Sequence, residues 1–116
     1  MSFENQIIQA ITAAMPHNAE IQVVPGIGAI NVDVSWKLND DPERPNKMSK
    51  TISICVSHEA AQDFANASAI DQGAAYPRVA AFLSAKLATF DPQHNIPKNE
   101  MLPVEKWVIN SAVVLG

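Results

Sequence analysis

Residues 71–90, DQGAAYPRVAAFLSAKLATF, carry the longest helical spacing in the chain and decide how the fold is organised. Large apolar residues recur there at steps of three and four, which places them on one stripe of a helix with about 3.6 residues per turn. The stripe consists of Val79, Phe82, Leu83, Leu87 and Phe90. We therefore predict a helix whose apolar stripe covers a small antiparallel sheet.

The limits of this helix depend on its proline. Pro77 has no N–H to donate and its ring crowds the preceding turn, so the helix either begins there or kinks, and we favour a break or kink over one straight rod. Asp71 is the expected N-cap of the upstream turn, and the Asp91-Pro92 pair is expected to end the helix. The sequence leaves open whether residues 59–90 form one kinked helix or two.

Working outward, residues with a period of two predict strands and a second run with helical spacing predicts a first helix. The predicted elements are a helix at 3–15, strands at 20–24, 30–38, 51–57 and 104–109, a helical region at 58–90, and loops at 39–48 and 91–103. The fold class that follows is α+β: a two-layer sandwich in which an antiparallel sheet of about four strands is packed by helices on one face, in the order α-β-β-β-α(α)-β.

Two short stretches need separate interpretation. The Gly-x-Gly of Pro25-Gly26-Ile27-Gly28 opens a strand rather than a helix and lacks a third glycine, so it predicts a hairpin connection instead of a dinucleotide-binding loop. The apolar tail, residues 112–116, is expected to join the sheet or to meet a partner, because an unprotected apolar terminus is uncommon.

Composition narrows the class of protein. The 116 residues predict one domain spanning 1–116, and 47% apolar with 17% charged residues is globular rather than disordered. With a formal charge of −4 and scattered basic residues, neither nucleic acid nor a membrane is an expected partner. The first five elements resemble those of a double-stranded RNA-binding domain only in their order, because Ser57-His58-Glu59-Ala60 stands where that module has phosphate-gripping lysines.

Cysteine and histidine usage predicts no metal, no cofactor and no disulfide framework. Cys55 is the one cysteine, which favours a reducing, cytoplasmic location. The histidines are His17, His58 and His94. None of them forms the i, i+4 pair that places two imidazoles on one helix face, so solvent-exposed histidines are the favoured interpretation.

No spacing typical of a catalytic site is present. Candidate binding residues, chosen for their chemistry and for nearness to the polar side of the sheet, are Asp33, Ser35, Cys55, His58 and Tyr76. Two of them have a structural alternative: Cys55 as a small strand residue, and His58 as part of Ser57-His58-Glu59, which is a helix cap rather than a catalytic cluster. Trp36 and Trp107 are expected to be core anchors, because both occur in strand patterns with apolar neighbours.

The sequence favours a small non-catalytic domain for protein interaction, an adaptor or regulatory role, which self-associates as a homodimer or binds another protein. An enzymatic role is the less favoured one. The alternative is a small-molecule-binding protein or enzyme whose pocket lies between the helices and the sheet.

Overall fold

A computed structural model describes residues 3–38, 42–43, 47–92 and 104–116 of the chain. These residues form four helices and one four-stranded sheet, which confirms the α+β class and the predicted element order. The elements are α1 (Phe3–Ala14), β1 (Glu20–Val23), β2 (Ile30–Ser35), β3 (Thr51–Val56), α2 (His58–Ala65), α3 (Ala69–Thr89), β4 (Val104–Ile109) and α4 (Ser111–Leu115). Most of the two predicted loops, together with His94, lies outside the described residues.

The sheet is mixed rather than wholly antiparallel. Its strands lie in the order β1-β2-β3-β4, with antiparallel pairing from β1 to β3 and parallel pairing of β4 with β3. The reason is the connection: α3 has 21 residues and is therefore about 32 Å long. A helix of that length returns the chain to the end of the sheet where β3 began, so the next strand runs in the same direction.

One face of the sheet, called here the core face, is buried. In β2 and β3 alternate residues are buried, and in β4 the indole of Trp107 and the side chain of Ile109 are buried on the same side. These residues belong to one core cluster with side chains from all four helices, including Ile7, Phe64 and Val79. This arrangement accords with helices on one face of the sheet, and the two-layer packing stays a prediction.

The two tryptophans are core anchors, as the strand patterns predicted. Trp36 and Trp107 each pack edge-on against Phe90, with ring centroids 5.6 and 5.9 Å apart. Trp107 is 1% exposed, and its Nε1 has no hydrogen-bond acceptor among the residues that the structure describes. This indole therefore stabilises the core through packing rather than through hydrogen bonding.

Residues 59–90 form two helices, and the break between them is not at Pro77. Helix α2 ends at Ala65 and α3 begins at Ala69, with Ser68 as its N-cap accepting a hydrogen bond from the Asp71 backbone N–H at 3.2 Å. Asp71 is therefore inside the helix rather than its cap. Helix α3 continues through Pro77 to Thr89, and the predicted stripe is confirmed, with Val79 and Leu83 fully buried.

The apolar tail neither joins the sheet nor stays exposed. It folds as α4, whose N-cap Asn110 accepts a hydrogen bond from the Val113 backbone N–H at 3.1 Å. Val114 is fully buried in the core, and Arg78 Nη1 donates to the Val114 carbonyl at 3.3 Å. The chain's own core thus buries its apolar end, so the tail no longer supports self-association.

Candidate interaction surface

The side of the sheet opposite the core face, called here the outer face, carries three of the five predicted site residues. Asp33 and Ser35 project there from β2 and Cys55 from β3, because each alternates with buried residues of the core face. The other members of the outer face are Glu20, Gln22, Asn31, Thr51, Ser53, Val104, Lys106 and Val108. The polar side of the sheet was therefore predictable from alternation alone.

The remaining two predicted residues lie elsewhere. His58 is the exposed first residue of α2, and Ser57 is that helix's N-cap, accepting from the Ala60 N–H at 3.1 Å. Tyr76 projects from α3 toward the core, where its ring lies 5.7 Å from that of Phe64. The structure consequently does not gather the five residues into one site, since the sheet lies between Tyr76 and the outer face.

Tyr76 has the surroundings of a core aromatic residue. Its ring and that of Phe64 pack with Phe3, which stacks on Phe64 at 4.2 Å. Burial raises the pKa of the Tyr76 hydroxyl above its ordinary value, because desolvation disfavours the phenolate. A phenol is protonated at neutral pH at its ordinary pKa, and this shift disfavours the phenolate further.

Cys55 lies on the outer face but is covered. Its side chain is only 6% exposed, because the hairpin loop at residues 24–29 folds back over it. A Cβ added at Gly28 would clash with Cys55 Sγ and would lie 2.7 Å from the Val56 carbonyl oxygen. A thiol that is buried under backbone is not available as a nucleophile.

Asn31 holds this loop in place, and sequence reasoning missed its role. The Gly28 N–H donates to Asn31 Oδ1 at 3.2 Å, and Asn31 Nδ2 donates to the Gly28 carbonyl at 2.9 Å. The Ala29 N–H also donates to the Val56 carbonyl at 2.8 Å, which ties the loop to β3. The sequence signal that could have found it is an asparagine three residues after a turn glycine, because asparagine side chains readily form hydrogen bonds with nearby backbone groups.

The outer face becomes apolar and exposed along its edge strand. Val104 and Val108 of β4 are 57% and 44% exposed, with exposed Lys106 between them. Ile27, at the tip of the loop that covers Cys55, is 82% exposed. The edge of the outer face therefore presents apolar side chains to solvent among the described residues.

A cleft of about 280 Å³ lies beside the last residues of β3 and β4. It exists because both strands end at helix N-caps, Ser57 and Asn110, which the parallel register aligns side by side. Three of the polar side chains that line it already have partners. Ser57 and Asn110 accept from their own helices, and Ser111 Oγ donates to Asp63 Oδ2 at 2.6 Å. The carboxylate of Glu59, a further lining residue, opposes an anion there.

Within the described ranges, no three histidine, cysteine or acidic side chains are grouped closely enough to hold a metal ion. No described helix is both long and apolar enough to cross a membrane. No protein-family model matches the chain, no curated protein is significantly similar to it, and no solved structure matches its fold significantly.

Proposed function

We propose that this chain is a non-catalytic interaction domain that self-associates through the outer face of its sheet. The observation that carries the proposal is the pair of exposed valines, Val104 and Val108, on the edge of that face. Helices contribute to the core on the other side of the sheet, whereas both valines on the outer face are exposed among the residues that the structure describes. A second copy would bury both valines and remove apolar area from water.

We also propose a cytoplasmic location, because a single, unpaired cysteine, Cys55, fits a reducing compartment. Nucleic acid is not a proposed partner of the outer face, because Lys106 of β4 shares that face with the acids Asp33 and Glu20. Such mixed charge gives little of the counterion release that drives phosphate binding.

The first test is the effect of Val104→Lys on self-association. Loss of a valine contact is expected to weaken the dimer roughly tenfold, since a buried valine side chain is worth on the order of 1.5 kcal/mol. Sedimentation velocity over protein concentrations from ~10 µM to ~1 mM measures the change, because micromolar and weaker dimers respond over that range.

The matched control is Ile70→Lys, which places the same charge at an equally apolar position on α3 that is 84% exposed. This control is expected to leave the association constant unchanged within about twofold, as for an exposed residue outside an interface. A wild-type protein that stays monomeric at every concentration would overturn the proposal.

The alternative function, small-molecule binding, is supported by the cleft beside Ser57 and Asn110. It is the weaker candidate because the lining side chains of Ser57, Asn110 and Ser111 are already hydrogen-bonded within the chain. Native mass spectrometry of protein purified without added ligand separates the two functions: a dimer with no added mass supports self-association, and a reproducible added mass supports the pocket.

A further inference from the structure

One row of outer-face residues crosses all four strands. It carries an acid on one side of β3 and a base on the other. The register pairs Gln22 with Asp33, Asp33 with Ser53, and Ser53 with Lys106. Because neighbouring strands lie about 4.8 Å apart, Asp33 and Lys106 flank Ser53 at nearly equal distances. Neither charged side chain has a hydrogen bond or an ion pair with another residue that the structure describes.

We propose that a second copy of this chain packs face to face on the outer face, with the twofold axis nearly parallel to β3 and above Ser53; this inference rests on the proposed function. Rotation about such an axis keeps each row in place and reverses its order. Asp33 then faces Lys106 of the second copy, and Lys106 faces Asp33 of the second copy. The same pair of attractive contacts forms twice, as an isologous interface requires.

The charges distinguish this axis from others. A twofold axis running across the strands along the same row would place Asp33 opposite Asp33 and Lys106 opposite Lys106, and both contacts would be repulsive. Pairing of two copies through the edge of β4 is disfavoured, because Lys106 stands in the middle of that strand and an edge lysine discourages strand addition. Face-to-face packing about the strand direction is the arrangement in which the row is complementary to itself.

The geometry of packed sheets accommodates this contact. Aligned sheets pack about 10 Å apart with their strands rotated by about 30°. A twofold axis tilted by about 15° from β3 produces this rotation, because the angle between equivalent strands is twice the tilt. Asp33 and Lys106 lie only about 4.8 Å from the axis, so that rotation displaces each residue by only about 2–3 Å. The four long, rotatable bonds of the lysine side chain absorb such a displacement.

The area of the outer face sets the strength of the dimer. Strands of six residues, about 3.3 Å per residue, in a sheet of four give a face of about 20 Å by 20 Å, or about 400 Å². A standard interface buries about 800 Å² on each partner. The loop over Cys55 lies on the proposed axis and faces its own symmetry copy, so the contact is made by the rows of Ser53 and Thr51 at the other end of the face. The expected dimer is therefore weak, concentration-dependent and sensitive to salt.

An exchange of the two charges tests the axis. Asp33→Lys and Lys106→Asp are each expected to weaken dimerisation about tenfold at low salt, because each change makes both symmetry-related contacts repulsive. The double variant Asp33→Lys/Lys106→Asp restores both attractive contacts and is expected to dimerise within about twofold of wild type. Lys86→Asp, at an exposed position on α3, is the control for the change in net charge.

The measurement is sedimentation velocity at low and high salt, with circular dichroism of each variant to verify folding. Recovery in the double variant, with losses in the single variants that shrink at high salt, supports the inference. The proposed axis is overturned if neither single exchange weakens the dimer, or if the double variant dimerises as weakly as the single variants. Either result leaves the proposed function standing. A wild-type monomer at all concentrations overturns both the axis and the proposed function.

Discussion

At the scale of single residues, Gly28 has the most exacting position on the outer face. Its backbone lies directly against Cys55 Sγ and the Val56 carbonyl, so there is no space for a side chain. Asn31 closes the same loop with two hydrogen bonds to Gly28. The glycine is therefore required by close approach between a loop and a strand, and the cysteine is covered as a consequence.

The change Gly28→Ala should lower the free energy of unfolding by about 1–3 kcal/mol, because its methyl group must displace β3 or open the loop. Urea unfolding at a protein concentration low enough to keep the chain monomeric measures this loss. If the variant unfolded at the wild-type urea concentration, the close contact between Gly28 and Cys55 would be contradicted.

At the scale of elements, α3 shows how packing outweighs a local break signal. Pro77 removes one helical hydrogen bond, yet the helix continues because Ala75, Val79 and Leu83 bury side chains on both sides of it. The break falls instead at residues 66–68, where Ser68 caps α3. The Phe64 carbonyl at this break accepts from the Ala67 backbone N–H at 3.1 Å and from Gln72 Nε2 at 2.9 Å. The ends of both helices are therefore satisfied by side chains at this junction.

Gly73→Ala is expected to stabilise the protein by about 0.5–1 kcal/mol, the difference between alanine and glycine inside a helix. A Cβ at Gly73 would meet no atom within 4 Å, so no clash offsets the gain. Thermal or urea unfolding measures this gain in stability. Because Gly28→Ala is expected to change the free energy of unfolding in the opposite direction, the two variants are controls for each other. A loss of stability would show that α3 is not regular at this position.

At the scale of the whole molecule, α4 completes the core. Val114 is fully buried, Arg78 binds its carbonyl from α3, and Ser111 binds Asp63 of α2. The last element of the chain thus joins two helices that precede it by many residues. These contacts of α4 are internal, so the tail does not support the proposed self-association.

Val114→Ala should lower the free energy of unfolding by roughly 2 kcal/mol, through lost burial and the cavity that remains. Val113→Ala, one residue earlier and only half-buried, is the matched control and should cost less than half as much. Urea unfolding of both variants provides the measurement. Equal losses at the two positions would contradict the docking of α4 through Val114.

The sequence by itself determined the local features of this protein. Periods of two and of about 3.6 residues predicted the strands, the first helix, the apolar stripe of α3 and the division of the sheet into a core face and an outer face. Asp33, Ser35 and Cys55 were correctly assigned to the polar side for the same reason. These features depend on neighbours within a few positions along the chain.

Only the tertiary structure decided what depends on distant residues. Four features join segments that are far apart in sequence. They are the parallel pairing of β4 with β3, the path of α3 through Pro77, the folding of the tail as α4 and the packing of Gly28 over Cys55. It also placed Lys106 in one row with Asp33, more than seventy positions earlier, and Tyr76 on the opposite side of the sheet. Periodicity identifies which face of an element is buried, whereas the element against which it packs is chosen by the free energy of the whole core.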